Sequence, residues 1–318
     1  MSKSKELLEN LSQFTKTGNY FRTAGQTVGV LEPGVYQLGA DMRGLFYEKV
    51  NVQSDSLIKI KSGKYNYITE EIEKFWNTKA KFDEVGAINK RAMLFHSLPG
   101  MGKSCIVKQI QADMTEKGNI TFIANNLSLL SEAVKDFREV EPERKLFVVL
   151  EELDEILHTG SKAFSDLLDG PTSVGNVFYL ATTNYVDRIP ARMKRPSRFD
   201  RITEMLPPDE AERMEFFQGK LGKFVEEEKL KDYVKLTDKM SYAHLKEFVV
   251  SVHCLDISVE ETVKRLQSMI PAELQDMKYG YMESKQIDEM IQKKNKPSDP
   301  KIKPLTESHT SRVMKSFK

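Results

Sequence analysis

The stretch Ser97-Leu-Pro-Gly-Met-Gly-Lys-Ser104 constrains this chain more than any other. It follows the apolar run Ala92–His96 and opens Ser104–Glu116, where apolar residues recur at three- and four-residue spacing. A glycine-bearing turn from a buried strand into an amphipathic helix leaves the first helical N–H groups without partners, backed by the partial positive charge of the helix end. Gly100 and Gly102 let successive N–H groups turn toward an anion. In such a loop Lys103 is expected to reach the outer phosphates of a nucleotide, and the Ser104 hydroxyl to ligate Mg²⁺. Ser97 stands where the first glycine of the usual pattern stands. The expected nucleotide-contacting set is Ser97, Pro99, Gly100, Met101, Gly102, Lys103, Ser104 and Cys105.

A second feature lies downstream. Leu146-Phe-Val-Val-Leu150 ends in Glu151-Glu152, a buried strand finishing in two carboxylates. One carboxylate at such a site holds hydrated Mg²⁺ and the other polarises the attacking water. Glu151 is expected in the first role, at a position where Asp is usual, and Glu152 in the second. Asp154 and Glu155 follow, and by themselves would read as a solvated acidic turn.

Between 65 and 206 strand-like runs (Ala92–His96, Ile120–Ala124, Lys145–Leu150, Asn176–Thr182) alternate with helical patterns such as Leu127–Val140. That alternation predicts an α/β fold, a parallel sheet sandwiched by helices. After Pro207-Pro208 the strands stop. Asp209–Phe224, Leu230–Leu236, Ala243–Leu255 and Val259–Met269 read as helices, with Ser258 and Glu261 forming a capping box, so 207–293 reads as a small all-helical domain. Residues 1–64 are punctuated by glycines around short apolar stretches such as Val28–Leu31 and Ser56–Ile60, and read as a small β-rich unit bracing the next domain. Residues 294–318 carry Lys294, Lys296, Lys301, Lys303, Arg312, Lys315 and Lys318 against Asp299 and Glu307, and are expected to form a basic, disordered tail.

Composition narrows the classes. Lys plus Arg total 48 against 47 for Asp plus Glu, a net charge of +1, so no global field draws the chain to nucleic acid or acidic lipid. No apolar run approaches the roughly 20 residues needed to span a bilayer, and the first residues lack a signal-peptide pattern. Cys105 and Cys254 are too few for a disulfide framework and are expected to be buried, reduced thiols of a cytoplasmic protein.

Over roughly 66–270 the chain resembles an AAA (AAA+) ATPase. Besides the two motifs above, Tyr179-Leu-Ala-Thr-Thr-Asn184 is similar to the family's sensor-1 strand, which implies that Asn184 orients the water near the γ-phosphate. Arg195-Pro-Ser-Arg198-Phe-Asp-Arg201 is similar to the arginine-finger segment, which implies that Arg195 and Arg198 reach into the neighbouring subunit's site. Ser241-Tyr-Ala-His-Leu245 resembles the lid segment, with Tyr242 in place of a glycine. The branch it resembles most contains the mitochondrial Rieske-protein translocase and its phage and bacterial relatives. Three features point there. Ile72-Glu-Lys-Phe75 and Val85–Arg91 lead directly into the phosphate-loop strand, Ser165–Gly170 precedes sensor 1, and Asn125-Asn-Leu-Ser-Leu-Leu130 lacks the aromatic tripeptide of threading machines. The branch makes a phage-encoded protein acting in the host cytoplasm one option.

The resemblance implies a Mg²⁺-dependent ATP hydrolase, a homo-oligomeric ring that remodels a protein partner. The alternatives are a clamp-loader-like DNA factor and a nucleotide-binding switch without hydrolysis. Clamp loaders usually carry Ser-Arg-Cys at the finger where this chain has Ser197-Arg198-Phe199, and only the tail offers a basic cluster.

Overall fold

The computed structural model describes residues 13–17, 20–24, 28–42, 44–51, 63–170 and 172–271. Two hairpins come first, β1 (Gln13–Thr17) with β2 (Tyr20–Ala24), and β3 (Gly34–Asp41) with β4 (Gly44–Val50). Helices α1 (Lys64–Asn77) and α2 (Lys79–Glu84) lead into β5 (Lys90–His96), followed by α3 (Lys103–Glu116), β6 (Ile120–Ile123), α4 (Leu127–Val140) and β7 (Leu146–Leu150). Short α5 (Leu153–Ile156), α6 (Ser161–Asp169), β8 (Val177–Thr183) and β9 (Arg201–Glu204) complete the α/β portion.

Period-two alternation builds the core. Along β7, Leu146, Val148 and Leu150 face one helical layer while Phe147 and Val149 face the other. Strands buried on both faces read as continuous apolar runs, as a parallel sheet covered on both sides requires. One layer is α4 and α6, through Leu130, Val134, Phe137, Phe164 and Leu167. The opposite layer is α1 and α3, through Ile72, Phe75, Trp76, Ile106 and Ile110. Phe75 and Trp76 thus cover one apolar face of the sheet.

The seven-stranded sheet has the order β4-β3-β6-β7-β8-β5-β9, parallel except for the β3–β4 pair. The β3–β4 hairpin corrects one expectation. It does not stand apart in an N-terminal unit; β3 pairs in parallel with β6, from Gly34 opposite Ile120 to Gln37 opposite Ile123. Val28–Leu31 is not a strand either. The Leu31 N–H donates to Glu141 Oε1 at 2.9 Å and its carbonyl accepts from Arg144 at 2.6 Å, so side chains hold this backbone in place of a neighbouring strand. Ser56–Ile60 and the basic tail lie outside the described residues. The strand β9 was not legible, because Ile202 is its one apolar residue.

After Pro207-Pro208 come α7 (Glu210–Leu221), α8 (Glu227–Leu236), α9 (Tyr242–Val249), continued by a π-helical turn over Val250–Cys254, and α10 (Val259–Gln267). They share their own core of Phe217, Leu230, Tyr233, Leu245 and Phe248. Asp209 and Glu212 form the reciprocal capping box, and Ser258 Oγ accepts from the Glu261 N–H. The thiols contradict expectation. Cys105 and Cys254 are both exposed, one on the first turn of α3 beside the glycine loop, the other at the end of the π-helical turn.

Glu212 has a second role. Its Oε2 lies 2.8 Å from Lys64 Nζ at the start of α1, with both side chains buried. Removing one member of a buried pair strands the other charge. Lys64→Met is therefore expected to destabilise the fold by about 3–5 kcal/mol, measured by urea denaturation, and a second change, Glu212→Gln, should recover much of the loss.

Candidate functional site

The site sits at the carboxyl ends of β5, β7 and β8, the place where open α/β sheets present ligand-binding loops. The chain leaves β5 at His96 and enters α3 through Gly100, at φ +82, and Gly102, at φ +88. Gly102 is the left-handed N-cap of α3, with no side-chain cap hydrogen bond and no acid in the first turn. The helix end therefore keeps its N–H donors and positive field for an anion. A Cβ on Gly102 would lie 2.6 Å from Tyr242 Cδ2, and one on Gly100 would lie 2.9 Å from the Ala243 Cβ. The Ala243 N–H donates to the Gly100 carbonyl at 3.2 Å. The segment Ser241–Ala243 thus rests directly on the loop, and both glycines are required by backbone angle and by closeness.

Lys103 Nζ donates to Ser97 Oγ at 2.6 Å, to Asn184 Oδ1 at 2.7 Å and to the Ser97 carbonyl at 3.2 Å. These acceptors are neutral, and among the described residues Lys103 has no ion pair. Burial pushes its ammonium down to about 8, against the pull of Glu152 and Asp154. A half-buried cation held by neutral oxygens is suited to an incoming phosphate. Ser97 is buried, and its hydroxyl donates to the Leu98 carbonyl at 2.8 Å while accepting from Lys103, so the loop accommodates it with its polar group satisfied. Met101 is buried as an anchor, whereas Pro99 and Cys105 are exposed.

Ser104 Oγ donates to Glu151 Oε2 at 2.6 Å. The longer Glu151 side chain therefore reaches the hydroxyl of the loop. Mg²⁺ is commonly bound by one or two carboxylates together with water and phosphates, and this hydroxyl–carboxylate pair beside a lysine fits such an ion with a triphosphate. Glu152 follows in a left-handed conformation, φ +51, its N–H directed to Thr182 Oγ1 at 3.3 Å. A non-glycine residue held there stores strain of the kind found at working sites. Its carboxyl is pushed above the usual range, chiefly by the charge of Glu155, then by burial and by the neighbouring Asp154 and Glu151.

Asn184, directly after β8, joins this group through Lys103. Arg195 and Arg198 do not join it. Arg195 is exposed, Arg198 donates to the Arg192 carbonyl at 2.8 Å, and neither forms an ion pair among the described residues, including with Asp200 or Glu204. Their segment is anchored instead by buried Phe199 and by Asp200, whose Oδ2 accepts from the Ala92 N–H at 2.9 Å. His96 is half-buried at the end of β5, its imidazole held below its usual range by burial.

Asp154 departs from the sequence reading. Its side chain is 3% exposed, not solvated, and bonds to Thr183 while facing Arg188. Thr183 lies within the Tyr179–Asn184 segment, but nothing in that motif marks its pairing with Asp154, and no period or motif marks Arg188.

Residues 93–206 match the family described as "ATPase family associated with various cellular activities (AAA)". The proteasome-activating nucleotidase of Methanococcus vannielii is 27% identical over 274 residues, covering 77% of this chain and 66% of its own length. A putative cell division cycle ATPase of Plasmodium falciparum is 25% identical over 284 residues, covering 77% of this chain and 23% of its own length. The proteasome-activating nucleotidase of Aeropyrum pernix is 27% identical over 213 residues, covering 60% of this chain and 52% of its own. The chain spans less than two thirds of the length of each of these relatives. Among the described residues no helix is long and apolar enough to cross a membrane.

Proposed function

Starting from an AAA ATPase domain over residues 93–206, we propose that this protein is a Mg²⁺-dependent ATP hydrolase whose subunits assemble into a ring and remodel a protein partner. One observation carries the reading. The ends of β5, β7 and β8 bring Glu151 with Glu152, and Asn184, to the open N-terminus of α3, where Asn184 is bonded to Lys103 and Glu151 to Ser104.

In this reading the N–H groups of Gly100 and Gly102 and the Lys103 ammonium hold the phosphates. Ser104 and Glu151 hold Mg²⁺, which when bound neutralises charge developing on the phosphate oxygens. Glu152 takes a proton from the attacking water, and Asn184 orients that water. Arg195 and Arg198, neither in an ion pair among the described residues, serve the site of the next subunit. Residues 65–206, with the β3–β4 hairpin that extends their sheet, act as the nucleotide-binding domain, 207–293 as the lid and 294–318 as a basic tail.

Relatives named proteasome-activating nucleotidase support action on a protein partner, and the near-neutral charge gives no support to a nucleic-acid one. Placement beside the Rieske translocase-like branch draws support from 125–130. There Asn126 caps α4 and Leu127 and Leu130 are buried, so the segment offers no aromatic to a pore. Action in the cytoplasm is part of the same proposal.

Binding of a fluorescent ATP analogue and Mg²⁺-dependent phosphate release test the reading. Lys103→Ala should lose nucleotide binding. In the wild type, affinity should hold below pH about 8 and decline as pH rises through that value. The nucleotide-free ammonium loses its proton there, and phosphate binds the charged form. Equal affinity of wild type and Lys103→Ala would overturn the assignment of the loop.

A further inference from the structure

Asp154 lies in an acidic turn whose other members, Glu152 and Glu155, are exposed. Its own carboxylate is withdrawn from solvent, with 3% of the side chain accessible. A buried carboxylate is costly unless paired and hydrogen-bonded, so its partners are informative. Thr183 Oγ1 donates to Asp154 Oδ1 at 2.5 Å, and the Arg188 guanidinium stands 3.7 Å from Oδ2. Thr183 is fully buried, and its Oγ1 also accepts the Tyr185 N–H at 2.9 Å. The Arg188 guanidinium lies 3.8 Å from the centroid of the Tyr185 ring. One carboxylate therefore grips the chain on both sides of Asn184, the residue whose Oδ1 meets Lys103 at 2.7 Å.

We propose that Asp154 is a positioning residue that fixes Asn184 through Thr183 and Arg188, and that this grip governs the chemical step far more than nucleotide affinity. The inference rests on the hydrolase reading above. Affinity is set by the loop glycines and Lys103, on a different element. The grip acts on the placement of the Asn184 amide, while Lys103 keeps its acceptors on Ser97, and a displacement of about 1 Å at a reacting centre costs on the order of 10²-fold in rate. The Asp154 carboxylate itself touches neither nucleotide nor water in this scheme.

Thr183→Val removes the hydroxyl while keeping shape and volume, and Thr183→Ser keeps the hydroxyl. The Val variant should lose on the order of 10²-fold in kcat, with affinity for a non-hydrolysable ATP analogue nearly unchanged. In nucleotide-free protein its Tyr185 amide should exchange hydrogen for deuterium faster than in wild type. Thr183→Ser should restore both, and Asp154→Asn, which keeps an acceptor but drops the charge facing Arg188, should fall between. The proposal is overturned if Thr183→Val keeps wild-type kcat. It is equally overturned if kcat, affinity and melting temperature fall together and Ser does not restore them. If wild type itself releases no phosphate, the hydrolase reading fails; amide exchange at Tyr185 then decides on its own whether Asp154 and Thr183 hold this turn.

Discussion

Alanine at Arg198 is expected to lower turnover by about 10³–10⁵, the worth of an arginine supplied to phosphoryl transfer from outside the site. The expectation rests on where the structure leaves the finger segment. Phe199 and Asp200 pin it to the core and to β5, and Lys90 Nζ donates to the Ser197 carbonyl at 2.6 Å. Arg195 is exposed, and among the described residues the Arg198 guanidinium donates to the Arg192 carbonyl and joins no ion pair. A charge held near the surface on an anchored segment is ready for an anion carried by another copy. Nucleotide affinity of isolated Arg198→Ala subunits should match that of wild type, and specific activity of wild type should rise with protein concentration.

Glu152→Gln is expected to reduce turnover by about 10²–10⁴, the range of general base catalysis, while keeping nucleotide bound. Its carboxyl sits among Glu155, Asp154 and Glu151, whose charges raise its proton affinity, and a base of raised pKa takes a proton more readily. The amide keeps the shape and cannot accept that proton. Single-turnover phosphate release, with analogue binding measured in parallel, checks both halves. The two variants also test each other. Arg198→Ala and Glu152→Gln subunits, each inactive alone, should recover part of the activity when mixed, because some interfaces then join an intact site to an intact finger. If mixed assemblies form and no ratio restores turnover, the action of Arg198 across subunits loses its support.

Much of the fold was legible because its signals are local. Apolar runs such as Phe147–Leu150 announce strands buried on both faces, and Leu127–Val140 is the observed helix to the residue. Helix ends were overextended where capping, not apolar spacing, decides them. One helix expected to reach Phe224 stops at Leu221, with Gly222 at its C-cap. The thiols were misjudged because apolar neighbours in sequence lie on different sides of a helix, and Cys105 faces outward while Ile106 and Val107 face the core.

By itself the sequence determined the glycine-bearing strand–loop–helix turn, the carboxylate pair after β7 and the layered α/β plan, since each depends on residues close together in the chain. Only the tertiary structure decided that β8 lies between β7 and β5, which brings Asn184 to Lys103 and sets Glu151 against Ser104. It alone decided that the β3–β4 hairpin extends the sheet, that the lid backbone closes on Gly100, and that Asp154 is buried against Thr183. These are pairings between segments far apart in sequence. They are settled by which apolar faces can be covered together and by which buried polar groups find partners, and neither leaves a periodic trace in the chain.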